Sequence, residues 1–416
     1  MSFQLRIAAA AAALVCTGIA TAGTLTIESW RGDDKATWEQ VLIPAFQKAN
    51  PGITVKFLTT TPNEYNAAVN ARFIAGTAGD LIQCRPFDLA ETMYKAGNLA
   101  DIAALPGMKN FPTSAKLAWQ TADAKSAWCM PMASVIHGYF YNKKVFAELG
   151  LKVPTTEAEF FDVLAKVKSA GKVAPVSLGT ADGWETSEIV YTGQGPAYWK
   201  GEEGRQGLIK GTKKFSDPEF VAPLKFMEKL ADYLPKGYQA QGYGDSQTLF
   251  ASGKAAIIPT GSWDISFYDK EGKGLEYGAF RPVVPKKGDT CYISDHIDMA
   301  MGMNSKTKNK KDAEVFLNWM AGSEFAELFG NKTPGFFPLS SAPVKLTNPV
   351  AAEMLSWRKD CKPTIRAQVQ HLDKGQPSLG AELQVVGQGV INKKLSPEAG
   401  GKQLADGLAK WYKPAN

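Results

Sequence analysis

Histidine is almost absent. His137, His296 and His371 are the only imidazoles in the 416 residues, which leaves little for a metal centre or a catalytic triad. Cysteine is scarce too, with no CxxC and no paired Cys/His spacing, so a structural zinc site is not expected. The chain contains no Gly-x-Ser-x-Gly elbow, no HExxH helix and no complete triad signature. Beyond the first twenty-two residues no apolar run is long enough to span a bilayer. Concentrated basic charge is also missing. The formal net charge is +6, the lysines are scattered, and the one dense run, from Lys306 to Lys311, reads as a solvated turn ahead of a helix. A nucleic-acid partner is not expected.

What is present first is an export signal. Arg6 is the only charged residue before an apolar run from Ile7 to Val15, and Ala20-Thr21-Ala22 is a small-residue cleavage pattern. These features predict a signal peptide over 1–22, cut between Ala22 and Gly23. A lipid anchor is not expected, because Cys16 follows Val15 rather than a small residue. The mature chain is then expected in the periplasm, outside the supply of cytosolic ATP and NADH, with no cofactor. Four cysteines remain: Cys84, Cys129, Cys291 and Cys361. An even number in an exported chain suits disulfides, and four cysteines allow three pairings.

Hydrophobic content of 44% and charged content of 21% are those of a folded globular protein. The length suits two lobes of about 150–200 residues each. Residues 24–30 alternate as a strand. A polar turn follows, Arg31-Gly32-Asp33-Asp34, and then Trp38, Val41, Leu42, Ala45 and Phe46 share one helical face. The pattern repeats with a strand over 53–57 and a helix carrying Tyr65, Val69 and Phe73. A third strand over 81–84 leads to a helix with Leu89 and Met93. Such alternation implies an α/β protein with a parallel sheet covered on both faces. Ligands bind beyond the carboxyl ends of such strands, which singles out the turns Trp30–Asp34, Thr59–Asn63 and Arg85–Asp88. The alternation restarts after Pro131, with a strand through 138–141, a helix around Phe160 and Leu164, and a strand over 175–178. Later helices surround Phe226 and Phe316, the latter with Gly322 as C-cap. The closing helix starts at Ser396-Pro397-Glu398 and buries Leu404, Leu408 and Trp411. Trp38, Phe46 and Trp411 are assigned to the core.

The chain resembles the extracellular solute-binding proteins of ABC sugar importers, the family that includes maltose-binding protein. The resemblance runs through Trp30 and its polar turn, residues 49–55, and Ala75-Gly76-Thr77-Ala78-Gly79-Asp80-Leu81, where Gly79 replaces a usual Pro. It continues through Pro131 to Lys143, 148–156, 250–263, 282–285, 300–306 and 335–338. It implies a two-lobed type II periplasmic-binding fold with an interlobe cleft and hinge crossings. The lobes are expected at 23–131 with 296–338, and at 132–295 with 339–416. The implied function is capture of a sugar or sugar derivative, without chemistry on it, by hinge closure, and delivery by a monomer to a membrane permease. Within this layout Cys84 and Cys129 lie on strands expected to be close in the first lobe, which pairs them and leaves Cys291 with Cys361.

A sugar offers an apolar ring face and hydroxyls, so its site needs aromatic faces and charged hydrogen-bonding groups. Carried over from the family, the ligand contacts are Trp30, Arg31 and Asp33 from the first turn and Thr60 from the second. Arg85, Phe87 and Asp88 come from the third. His137, Trp184, Glu185, Trp263 and Phe336 complete the set. Asp295 and His296 are added as a departure from the family, standing near the hinge where relatives often have glycines, so that they either narrow the cleft and bias ligand choice or reflect local packing. Two rivals stand beside this reading. One is an exported glycoside hydrolase using Asp33/Asp34 or Asp295/Asp298, although sequence neighbours do not face each other across a scissile bond. The other keeps the fold but binds a polyamine, a metal chelate or an anionic sugar.

Overall fold

A computed structural model describes residues 23–414; the signal peptide expected over 1–22 lies outside the described residues. Strand β1 (Thr24–Ser29) pairs in parallel with β2 (Thr54–Thr59) and with β3 (Leu81–Cys84). Leu25 and Ile27 of β1 are fully buried on one face. On the other face Glu28 is buried because Arg72, from the helix Tyr65–Ala75, hydrogen-bonds it at 2.7 Å. Apolar helices therefore cover one face, and a paired charge closes the other.

Strand β4 (Cys129–Asn142) is long and almost wholly buried. The second half of the sheet adds β5 (Ala174–Val176), β6 (Ala255–Gly261) and β7 (Tyr277–Phe280). Strand β8 (Tyr292–Met303) returns antiparallel to both β3 and β4. Short strands β9 (Phe337–Pro338) and β10 (Lys362–Thr364) pair with β4 and β8 respectively. The strand order is β2-β1-β3-β8-β4-β6-β5.

β4 and β8 each serve two lobes. The start of β4 and the end of β8 join the β1–β3 sheet, whereas the end of β4 pairs with β6 and β7 and the start of β8 with β10. The register between them shifts at Pro131/Ala133 and again at Ala133/Ser134. An extra residue bends a strand and increases its twist, so the chain turns between lobes at that point. β9 crosses beside it, pairing with Ala133 and Ser134.

The disulfides are Cys84–Cys129 and Cys291–Cys361. The first spans β3 and β4 across the intervening β8, which requires room over Gly302. A Cβ there would lie 2.9 Å from the Cys84 Sγ and 3.1 Å from the Cys129 Sγ. The second ties the start of β8 to the residue before β10.

Two sequence expectations are corrected. Trp411 lies beyond the last helix, Pro397–Ala409, and is half-buried over Gly375, where its indole donates to the Pro377 carbonyl at 2.8 Å. Gly322 is not a left-handed C-cap: at φ −85° it precedes the next helix, Ser323–Lys332. In each case the period continued in sequence after the backbone had turned. No helix among the described residues is long and apolar enough to cross a membrane.

Candidate functional site: the interlobe cleft

A cavity of about 740 Å³ lies between the lobes. Its first wall is the carboxyl end of the β1–β3 sheet. The Ser29 hydroxyl, at the end of β1, accepts the Arg31 amide at 2.8 Å and holds the turn that presents Trp30 and Arg31. The Arg31 guanidinium pairs with Asp34 at 2.7 Å, lies 4.8 Å over the Phe336 ring, and reaches the Trp263 carbonyl at 3.4 Å. Burial would lower its pKa, but the charge and hydrogen bond of Asp34, with Asp33 and Tyr243, together outweigh it and hold Arg31 above its ordinary value. Arg85 stands 4.5 Å over the Trp30 ring, a cation–π arrangement, and donates to the Pro62 carbonyl at 3.1 Å. Burial lowers the Arg85 pKa, and the carboxylates of Asp298 and Glu188 oppose this.

The opposite wall is aromatic. Trp184 and Tyr243 meet edge to face at 4.6 Å, and the Trp263 indole donates to the Tyr243 hydroxyl at 2.8 Å. Tyr243 in turn donates to Asp264, which also accepts from Thr260 at 2.6 Å and Gln247 at 2.9 Å. Burial pushes the Asp264 carboxyl up to about 6, against the pull of these donors. Gly261 is needed at the end of β6 because a Cβ there would sit 1.9 Å from the Trp263 ring.

The floor is charged. Asp298, on β8, is 3.7 Å from Arg366, which pairs with Glu188 at 2.9 Å. Burial would raise the Asp298 carboxyl, but His296 at 3.5 Å and the Arg366 charge hold it below its usual range. Behind Asp298, His296 and His137 pack with centroids 5.0 Å apart, and His137 meets the Trp263 ring edge-on at 5.0 Å. Burial keeps both imidazoles below their ordinary pKa. Gln368, Asp373, Ser378 and Gln384 complete this side. The described residues include no cluster of three or more His, Cys, Asp or Glu able to hold a metal.

Trp30, Arg31, Arg85, Asp88, Trp184, Trp263 and Phe336 line the cavity as the sequence reading expects. The other residues of that set do not. Asp33 is on the exposed side of its turn, 3.8 Å from Arg31. Thr60 accepts from Arg72 at 3.3 Å, and its turn contributes Pro62 and Asn63 instead. Phe87 is buried, with φ +57°, where the chain turns into the helix Asp88–Lys95. His137 and His296 form the layer beneath the floor, and Glu185 is buried behind Trp184. Asp295 points the other way, onto Arg358 at 2.6 Å, because side chains alternate along β8. That alternation was the available signal for Asp298, which shares a face with His296. For Tyr243, Glu188, Arg366 and Gln368 no local pattern points to the cleft.

Glu185 supports a pH prediction. Burial pushes its carboxyl up to about 9, with Asp182 and Asp264 adding to this and hydrogen bonds from Ser246 and the Gly179 amide opposing it. A raised acid contributes stability that is full below its unfolded value and is lost as pH rises toward its folded one. Between pH 4.5 and 7 the loss is about 3 kcal/mol. The Glu185→Gln variant is expected to remove that slope, so that its melting temperature exceeds that of the parent at pH 8 and not at pH 4.5. Parallel melting curves across this range would remove Glu185 as the source.

Two α/β lobes joined by crossing strands, with a cavity bounded by strand-to-helix turns, define the fold of the type II periplasmic-binding proteins. The chain belongs to the bacterial extracellular solute-binding protein family, whose model matches residues 29–327. The multiple sugar-binding protein of Streptococcus mutans is 29% identical over 292 residues, 67% of this chain and 66% of the relative. The matched part thus spans just under two thirds of that relative's length. Among solved structures, a chitin oligosaccharide binding protein superposes with a TM-score of 0.78 at 22% identity, covering 94% of this chain and 98% of that one. The solute-binding protein RafE in complex with raffinose superposes at 0.77 and 21% identity, covering 93% and 99%. These likenesses are of fold.

Proposed function

We propose that this protein is the periplasmic substrate-binding component of an ABC importer, capturing a sugar or sugar derivative by closure of its lobes and passing it to the membrane permease. The observation that carries this reading is the cavity itself, with Trp30, Trp184, Tyr243 and Trp263 facing the charged groups Arg85, Asp298, Arg366 and Glu188. Aromatic faces suit an apolar ring face, and charge-assisted donors and acceptors suit hydroxyls whose desolvation would otherwise cost about 1–3 kcal/mol each. Its volume falls within the ~300–1,000 Å³ typical of small-ligand sites. The names of the sugar-binding relatives agree with this reading. The lobes we assign are 23–131 with 296–338, and 132–295 with 339–416, in a chain acting as a monomer.

The reading is of a binder rather than a hydrolase. Glu188 and Asp298 are both engaged by Arg366, Asp34 by Arg31, and Asp295 by Arg358 outside the cavity, so neither Asp33/Asp34 nor Asp295/Asp298 is poised as acid and nucleophile. Three lining arginines argue against a polyamine. The test is a thermal-shift screen over mono- and disaccharides, sugar alcohols, acidic sugars and polyamines, with product analysis of each mixture. A matching sugar at a hundredfold excess over its Kd stabilises by about 2.7 kcal/mol and is recovered unaltered. Cleavage of an oligosaccharide, or a shift with polyamines alone, would overturn the proposal.

A further inference from the structure

Lys374 lies on the segment between β10 and the helix Leu379–Ile391, on the second lobe. Its Nζ crosses the cleft to the Glu91 Oε2 at 2.9 Å and the Asp88 Oδ1 at 3.4 Å, both on the helix Asp88–Lys95 of the first lobe. At the far end of the same mouth, Asn63 donates to Asp182 at 2.7 Å, again from one lobe to the other. Glu91 and Lys374 do not line the cavity. The Lys374–Glu91 pair therefore holds the lobes together outside the ligand space, whereas Asp88 stands at its rim and lines the cavity.

From this arrangement we propose that Lys374 is a retention residue, an electrostatic clasp that favours the closed arrangement of the lobes and slows escape of the bound solute. Two features suit a clasp that must also release. The acidic side is largely sheltered, with Asp88 14% and Glu91 25% exposed, whereas Lys374 is 44% exposed and can return to water. Glu91 also pairs with Lys95 one turn along its own helix at 2.7 Å, so opening leaves Glu91 with a partner of opposite charge. Because the attraction exists only when the lobes meet, it shifts the closed-to-open ratio and adds little to the stability of either lobe. The proposal rests on the closing-cleft reading but not on the identity of the solute.

The test is made first without any sugar. Spin labels at Ile74→Cys and Val153→Cys, exposed positions on opposite lobes, report the interlobe distance distribution in the ligand-free protein. Lys374→Glu is expected to reduce the closed-to-open ratio about fivefold, with the ligand-free melting temperature unchanged. Adding Glu91→Lys is expected to restore at least half of that ratio, and 0.5 M salt to weaken the closed form in the parent. An unchanged distance distribution in Lys374→Glu, or a loss that the swap does not recover, overturns the clasp. A second arm measures dissociation of raffinose by stopped flow. Faster release in Lys374→Glu with an unchanged association rate supports the clasp, and equal release overturns it. Should no saccharide bind the parent protein, the sugar reading fails, while the spin-label arm still decides the clasp.

Discussion

Replacing Trp263 with alanine is expected to abolish tight sugar binding and to lower the stability of the protein as well. Trp263 has three attachments: its ring edge to face with His137 at 5.0 Å, its indole donor to Tyr243 at 2.8 Å and its carbonyl to Arg31 at 3.4 Å. It is only 8% exposed. The alanine variant therefore loses an aromatic face of the cleft and leaves a void beside the two histidines. Loss of a central aromatic anchor is expected to weaken affinity at least about a hundredfold. Truncating a buried Trp typically costs about 3–5 kcal/mol. Trp263→Phe separates the two effects. It keeps most of the packing, loses the bond to Tyr243, and is expected to lose about tenfold in affinity with a small fall in melting temperature. Titration calorimetry and melting curves measure both; unchanged affinity in the alanine variant removes Trp263 from the site.

Replacing Arg366 with methionine is the second large effect. Arg366 sits between Glu188 at 2.9 Å and Asp298 at 3.7 Å, and these side chains are 13%, 26% and 14% exposed respectively. Removing the cation takes from two sheltered carboxylates the partner they share, leaving only His296 and the more distant Arg85 to offset them, and breaking a buried pair usually costs about 3–5 kcal/mol. The pH dependence should flatten. In the parent, Asp298 lies below its usual range, so its contribution to stability is present above the unfolded value and lost as acid protonates it. Without Arg366, burial is opposed only by His296 and Arg85, so less stability is lost as acid protonates the same carboxyl. The ratio of parent to variant stability should be greatest near pH 7 and smallest near pH 4. Adding Glu188→Gln should recover part of the loss, because the two sites share one network. A variant that melts like the parent at every pH would show that the floor carries no such coupling.

Which parts of the cleft could be read from the chain follows from how each wall is built. The turns after β1 and β3 were legible because period-two strands and period-3.6 helices mark their own boundaries, and the residues between them must lie at a sheet edge. Trp30, Arg31, Arg85 and Asp88 were located in this way. Thr60 and Phe87 were misplaced by the same reasoning, since a turn's position says little about which of its side chains faces the ligand. His137 and His296 were near the site in sequence but beneath it in space, because Trp263 and Asp298 pack over them.

Periodicity alone places the wound strands and helices, the apolar core and the turns at the edge of the first sheet. The opposing wall is a product of long-range packing. Tyr243 precedes Trp263 by a strand and a helix, Arg366 reaches Glu188 across 178 positions of chain, and Lys374 meets Glu91 across 283. Local backbone preference acts over a few residues and leaves its mark in the order of amino acids. The meeting of charges so far apart depends instead on how two sheets twist and bend around a shared pair of strands, which no single stretch of the chain specifies.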